Sequence, residues 1–180
     1  MNVHDYIKYY EGAVPFGLCE AIRKYNYNYK PSTYSNNKGK THNSEERVRM
    51  DEYWVRKNNQ YYDDMKSCFE WVIKNYSKEF PLFSVQNITD FRINRYPDGG
   101  FMSKHVDNIH HSHGQQYGYP QASILLYLND DYEGGEFYVA EKEFKPKKGS
   151  AIIFPSNFMY PHEAKIITKG IRWSVVSWIM

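Results

Sequence analysis

The stretch Gly135-Glu136-Phe137-Tyr138-Val139-Ala140-Glu141-Lys142-Glu143-Phe144-Lys145-Pro146-Lys147-Lys148-Gly149-Ser150-Ala151-Ile152-Ile153-Phe154-Pro155 holds three short β-type runs, 135–140, 143–147 and 150–155. β-branched and aromatic residues fill the runs, and Lys148-Gly149 supplies turn chemistry before the last. The same rhythm continues outward. Runs 86–96, 101–107 and 122–129 precede it, and 162–168 and 171–179 follow. Pro97-Asp98-Gly99-Gly100, residues 130–134 and Lys169-Gly170 punctuate them. Roughly eight strands at even spacing predict a mainly β double-sheet jelly roll, with an immunoglobulin-like sandwich as the alternative.

Before Pro81 the texture differs and reads as helices and loops. Leu18, Ala21 and Ile22 share one face of a short helix over 14–22, and residues 59–78 place Tyr61, Met65, Phe69, Val72, Ile73 and Tyr76 at spacings of three and four. These helices are expected to pack on one sheet. Residues 26–40, rich in Asn, Ser, Tyr and Lys, read as a long loop. A chain of 180 residues is one domain's worth of sequence. The expected division is a helical and loop support over 1–83 and a jelly-roll core over 84–180.

Composition narrows the partners. A net charge of +2 and a pI near 8.3 are mild for a nucleic-acid binder, which usually carries a concentrated basic stripe. No apolar run is long enough to span a bilayer, and residues 1–10 lack the apolar stretch of a secretory signal. Two cysteines, Cys19 and Cys68, read as buried thiols in a reducing compartment, so a cytoplasmic location is expected. The 18 tyrosines reflect either nucleotide bias or a tyrosine-lined binding surface, and bias is the simpler account.

His105-Val106-Asp107 falls in a predicted strand, where alternation sets the imidazole and the carboxylate on one face. His162 opens another strand beyond Pro161. Two His and one carboxylate leave open positions on an octahedral ion, the arrangement expected of non-haem Fe(II) oxygenases. Arg172, ten residues after His162, is suited to clamp a carboxylate through a bidentate contact. Strand parity puts it on one face with Ser174, Val176 and Trp178, opposite Trp173, Val175 and Ser177.

With these residues in place, the chain resembles the 2-oxoglutarate and Fe(II)-dependent dioxygenases, specifically their prolyl 4-hydroxylase-like branch. The resemblance covers about 85–180, through Arg95-Tyr96-Pro97, Gly100-Phe101, His105-Val106-Asp107-Asn108, Tyr127-Leu128-Asn129, Gly134-Gly135-Glu136, Gly149 to Phe154, Pro161-His162-Glu163 and Gly170-Ile171-Arg172 to Trp178. It implies the double-stranded β-helix (cupin-like) form of the jelly roll. It implies that His105, Asp107 and His162 are catalytic and ligate Fe(II), and that Arg172 and Tyr127 bind the C5 carboxylate of 2-oxoglutarate. Tyr96 matches the family tyrosine at the cosubstrate's other end, and Trp178 an aromatic close to the cosubstrate. Collagen-type members often carry Lys where this chain has Arg172, so the Arg-using members are nearer. The implied reaction is hydroxylation of an unactivated C–H bond with O2, releasing succinate and CO2, with ascorbate as a reductant in some settings.

The implied substrate is a peptide or protein segment, with proline as the residue hydroxylated. The alternatives are the same cofactors with a free amino acid, small molecule or nucleobase, or a non-catalytic jelly-roll binding module. Asn94-x-Tyr96 resembles the nucleic-acid-repairing branch, but that branch's second arginine, six residues after the first, is here Trp178. Retention of His105, Asp107, His162, Tyr127 and Arg172 speaks against a degenerate member. His110-His111-Ser112-His113 reads as a solvated loop. Residues 108–120 and parts of 30–58 are expected to be mobile loops at the pocket mouth, bringing Tyr29, Tyr34, Tyr53, Trp54, Tyr117 and Tyr119 with them.

Overall fold

The structure is a computed structural model and describes residues 2–35, 41–42, 46–108 and 119–180. Its first part contains a 3-10 turn (Val3–Tyr6), β1 (Lys8–Tyr10), α1 (Phe16–Lys24), β2 (Lys30–Pro31), β3 (Tyr34–Ser35), β4 (Thr41–His42), β5 (Val48–Arg49), β6 (Asp51–Val55) and α2 (Tyr62–Glu79). Strands fill the rest: β7 (Phe91–Tyr96), β8 (Phe101–His105), β9 (Ala122–Tyr127), β10 (Glu133–Gly134), β11 (Phe137–Val139), β12 (Lys142–Phe144), β13 (Ala151–Pro155), β14 (His162–Ala164), β15 (Ile167–Lys169) and β16 (Arg172–Ile179). The pairings described are antiparallel. A seven-stranded sheet runs β1-β13-β9-β16-β7-β6-β2 and a five-stranded one β12-β11-β14-β8-β5, the two sheets of a jelly roll.

Alternation along β16 divides the interior in two. Val175 and Ile179 point to one core and Val176 and Trp178 to the other. The first core lies between the large sheet and the helices. Met65, Phe69, Val72 and Tyr76 recur on one face of α2, and with Cys19 and Ile22 of α1 they cover Phe91, Ile93, Ile124, Leu126 and Ile153. α2 begins at Tyr62 rather than 59, because the Asn59 side chain accepts from the Tyr61 amide and turns the chain in. Asp63 and Asp64 in its first turn complement the helix dipole. The second core lies between the two sheets.

Three expectations need correction. Residues before 81 supply more than helices and loops: β6 pairs along its whole length with β7, β1 with β13, and β5 with β8. Their runs are short and polar, so periodicity alone does not reveal them, and neighbouring strands complete them. Tyr29 and Tyr53 are not at a pocket mouth. They pack with Tyr27 and Trp173 against the helix-side core, because odd positions of β6 face that way and Trp54 faces the other. The run 162–168 divides into β14 and β15, which join different sheets. The expected loop over 109–118, with His110, His111, His113 and Tyr117, lies outside the described residues, as do 36–40, 43–45 and the Tyr34 side chain.

Phe69 stacks on Phe91 with centroids 4.9 Å apart and planes at 7°, joining α2 to the sheet that carries Arg172. Phe69→Ala is expected to cost about 3–5 kcal/mol of stability through the cavity it leaves. Urea unfolding of the two proteins measures it, and a loss under about 1 kcal/mol would mean that α2 packs loosely.

Candidate metal centre

Cross-strand register fixes which side chains meet between the sheets. Arg172 lies opposite Tyr96, Ser174 opposite Asn94 and Tyr127, Val176 opposite Arg92 and Leu125, and Trp178 opposite Ser123. All belong to the inward face of the large sheet. In the facing sheet β8 ends at His105 and β14 starts at His162, and these two residues are paired. Their rings lie 4.2 Å apart.

Asp107 does not continue β8 as expected. The strand stops at His105, and the chain bends so that the Asn108 amide donates to the Ser156 carbonyl (3.0 Å). The carboxylate nonetheless reaches the imidazoles, because the large sheet draws it inward. Trp178 Nε1 and Ser123 Oγ both donate to its Oδ2, at 2.8 and 2.6 Å, and Ser123 in turn contacts Ser156 Oγ at 2.8 Å. Each His sets its Nδ1 against a backbone carbonyl, His105 to Ser103 (2.8 Å) and His162 to Tyr160 (3.2 Å). A carbonyl only accepts, so Nδ1 carries a proton and Nε2 is turned to the carboxylate. His105 Nε2 lies 3.5 Å from Asp107 Oδ1 and His162 Nε2 lies 3.4 Å from Oδ2. The three offered atoms fall within 4.8 Å of one another.

This geometry asks for positive charge between the imidazoles and the carboxylate, as protons or as one ion. Burial works to raise the Asp107 carboxyl, but the two imidazoles outweigh it and hold the group well below the usual carboxylate range. Burial, and then neighbouring His162, push His105 below the usual imidazole range, against protonation. A divalent ion therefore suits the cluster better than a proton added at His105 does. An N2O donor set on one side of an ion suits Fe(II), and the carbonyls behind each Nδ1 fix the rings as outer partners of metal-bound His do.

A second feature adjoins it. Arg172 is completely buried, yet only its Nη1 has a partner, the Gly135 carbonyl at 2.9 Å. Its Nε and Nη2 donate to nothing, and the buried Tyr127 hydroxyl is likewise unpartnered. No carboxylate pairs with Arg172 among the described residues. The guanidinium lies over the Tyr96 ring at 4.3 Å and the Tyr127 ring at 5.9 Å. Leaving a buried charge and three donors unsatisfied is costly, and one carboxylate bound bidentately would satisfy them. The residues thus fit one end of a dicarboxylate such as 2-oxoglutarate. Gly135 takes φ +67° and a Cβ there would fall 2.2 Å from Ile167 Cδ1, so glycine brings its carbonyl under the arginine without strain or displacement of Ile167.

Sequence reasoning named the groups brought together here: His105, Asp107, His162, Tyr96, Tyr127, Arg172 and Trp178. It missed Ser123, which holds the carboxylate, Ser156 behind it, and Arg92, which shares the inward face with Asn94 and Ser174. Parity counted from Tyr127 along β9 marks Ser123, and parity from Tyr96 marks Asn94 and Arg92. No sequence signal marks Ser156. The pocket beside the triad, lined by Tyr96, Met102, Leu125, Phe137, Val176 and Trp178 among others, has about 30 Å³ of space. That is water-sized, so a five-carbon acid enters only as lining side chains yield.

The sequence profile of the 2OG-Fe(II) oxygenase superfamily matches residues 91–180. The chain belongs to that superfamily. Among curated relatives, human prolyl 3-hydroxylase 2 is 44% identical over 69 residues, 34% of this chain and 10% of that protein. A PKHD-type hydroxylase of Rippkaea orientalis is 34% identical over 100 residues, 52% of this chain and 44% of that one. The chain therefore spans less than half the length of these relatives. Among solved structures, a Pseudomonas putida prolyl-4-hydroxylase superposes with TM-score 0.70 at 18% identity, covering 97% of this chain and 91% of that one. The viral collagen prolyl hydroxylase of Paramecium Bursaria Chlorella virus-1, in its 2OG complex, gives 0.71 at 16% identity, covering 99% and 98%. At these identities the likeness is one of fold, and it is the expected jelly roll.

Trp178→Phe keeps an aromatic ring but removes the donor to Asp107. We expect affinity for Fe(II), titrated anaerobically, to fall about 10–100-fold, as for other outer partners of metal ligands. Unchanged affinity would show that the indole hydrogen bond does not orient the carboxylate.

Proposed function

We propose that this chain is a 2-oxoglutarate- and O2-dependent hydroxylase of prolyl-hydroxylase type, acting on an extended polypeptide segment. One observation carries the reading. Two imidazoles on one sheet with a carboxylate beside them, and a buried arginine with two unpartnered nitrogens on the inward face of the other, are suited respectively to a divalent ion and to a carboxylate. In this reading His105, Asp107 and His162 hold Fe(II). Arg172 Nε and Nη2 and the Tyr127 hydroxyl receive the distal carboxylate of 2-oxoglutarate. Bound together, Fe(II), 2-oxoglutarate and O2 supply the oxidising equivalent, one oxygen atom leaving in succinate and the other entering a C–H bond as hydroxyl, with loss of CO2.

The protein's share is positioning. The two imidazoles keep the Asp107 carboxyl ionised, Ser123 and Trp178 aim it, the Ser103 and Tyr160 carbonyls keep both Nε2 atoms available, and Arg172 fixes the cosubstrate's far end. Tyr96 carries the arginine over its ring and also lines the pocket. The surrounding Leu125, Phe137, Val176 and Phe154 side chains exclude water from the site. Elements on both sides of Pro81 build one interior, which supports 1–180 working as one dioxygenase domain.

The polypeptide substrate is supported by the prolyl hydroxylase relatives and by a mild net charge that offers nucleic acid little. No helix among the described residues is long and apolar enough to cross a membrane. Cys19 and Cys68 are buried free thiols, which supports a reducing compartment such as the cytoplasm.

The test is succinate release stimulated by prolyl peptides, free amino acids or oligonucleotides, with mass spectrometry of the products. Gain of one oxygen atom on a prolyl peptide is the expected result, and coupling only to a free amino acid or an oligonucleotide would replace this reading. Asp107→Ala is expected to abolish Fe(II) binding and turnover together. Arg172→Ala is expected to weaken 2-oxoglutarate by about 2–5 kcal/mol, or roughly thirty- to several-thousand-fold, with Fe(II) affinity nearly intact. Wild-type cosubstrate affinity in that variant would remove Arg172 from the site.

A further inference from the structure

The centre described above leaves two polar side chains of the pocket, Asn94 and Arg92, without a task, and of the two only Arg92 carries a charge. Arg92 lies on β7, two positions from Asn94 on the same inward face, and lines the pocket with His105, Asp107 and His162. Its side chain is 13% exposed. The guanidinium carbon sits 4.9 Å from the Trp178 ring and 5.8 Å from the Trp54 ring, and those two rings are 6.1 Å apart at 31°. Since Trp178 Nε1 donates to Asp107, Arg92 is one indole away from the metal-site carboxylate.

Two facts about its charge and donors decide what it suits. Nη1 is engaged with Glu52 Oε2 at 3.4 Å, and Glu52 is itself anchored by Ser32 Oγ (2.7 Å) and Trp54 Nε1 (3.2 Å). The pair is therefore electrically balanced before any substrate arrives. The buried Arg92 Nε has no partner. A donor buried unsatisfied costs free energy until an acceptor reaches it, and here the acceptor is best uncharged, because a carboxylate would meet Glu52 across the same guanidinium.

We propose that Arg92 is a specificity-determining residue whose Nε–H donates to a neutral main-chain carbonyl of an extended polypeptide substrate, next to the carbon that is oxidised. The inference rests on the polypeptide reading above and narrows it: the site recognises an internal amide rather than a free carboxylate. The Trp54 and Trp178 rings, which lie beside each other and next to the guanidinium, suit a prolyl ring in a polyproline-II segment, which presents carbonyls at its flanks and has little entropy to lose.

The test compares a proline-rich peptide blocked as N-acetyl and C-amide with free L-proline, using the full chain with Fe(II) and 2-oxoglutarate. Binding is read by calorimetry under anaerobic conditions and turnover by succinate release. Arg92→Gln removes the charged donor and is expected to raise the Kd and KM for the blocked peptide about tenfold or more, the loss of a hydrogen bond from a charged group, with the KM for 2-oxoglutarate within about twofold of wild type. Arg92→Lys keeps the charge beside Glu52 but lacks Nε, and should show a loss in the same direction should the Gln variant fold poorly. Arg56→Gln, an exposed arginine paired with Asp90 outside the pocket, is the unchanged control. Equal peptide affinity in wild type and in the folded Arg92 variants would overturn the proposal while leaving the polypeptide reading in place. A stronger effect of Arg92→Gln on free proline than on the blocked peptide would overturn the neutral-acceptor claim. A wild-type protein that neither binds nor oxidises the blocked peptide would overturn the polypeptide reading, and this proposal with it.

Discussion

A carboxylate taken out of water is the constraint around which the rest of the site is arranged. Asp107 lies in a bend after β8, where the chain offers it no strand register, and it is 6% exposed. An isolated ion there would be strongly unfavourable, so every adjacent layer contributes something to it. The large sheet sends Trp178 Nε1 and Ser123 Oγ, and the small sheet sends the two Nε2 edges. The parity of β16 makes the first possible, since Trp178 faces inward only because Arg172, six residues earlier, does. One strand thereby sets both the ligand cluster and the cosubstrate cradle, and a shift of one residue would turn both toward the helices.

Much of this was legible from residue types at fixed spacing. His105 and Asp107 two apart, His162 after Pro161, and Arg172 opening an apolar strand are local patterns, and each survives folding because it depends on one strand or one turn. The face of α2 was legible for the same reason, and that of α1 in part, since Ile22 and Leu18 pack inward but Cys19 takes the buried place expected of Ala21. What sequence could not show depended on partners far away in the chain. β1, β5 and β6 are two to five residues long and partly polar, and only pairing with β13, β8 and β7 makes them strands. Ser156 touches the site because β13 lies beside β9, a relation no local signal carries. Tyr53 and Trp54 were grouped by composition, and the pleat separates them.

The two histidines and the arginine illustrate different uses of the same physics. The imidazoles are held by backbone carbonyls on the side away from the pocket, so their reactive edges are fixed while still available. Arg172 is fixed by its hydrogen bond to Gly135 and by the Tyr96 ring under its guanidinium, and its other donors are held ready by burial. Such groups store the cost of being unsatisfied in the free protein, and binding a complementary charge releases it. That the pocket itself is only water-sized fits the same picture: polar groups are set in place, and the apolar wall of Met102, Leu125 and Val176 is what has to give.

The outer boundary of the large sheet has its own consequence. A sheet of seven strands in a chain this rich in tyrosine offers unpaired backbone at both margins, the usual route to association between chains through strand addition. Here one margin is β2, two exposed residues of which Pro31 has no amide hydrogen to donate, and the next amide, of Ser32, points inward to the Met50 carbonyl. The other is β1, three residues long, whose Lys8 is committed to Glu79 of α2 at 2.6 Å. Neither margin offers a long template for a foreign strand, so aggregation through the sheet is blunted at both ends by a proline and a lysine.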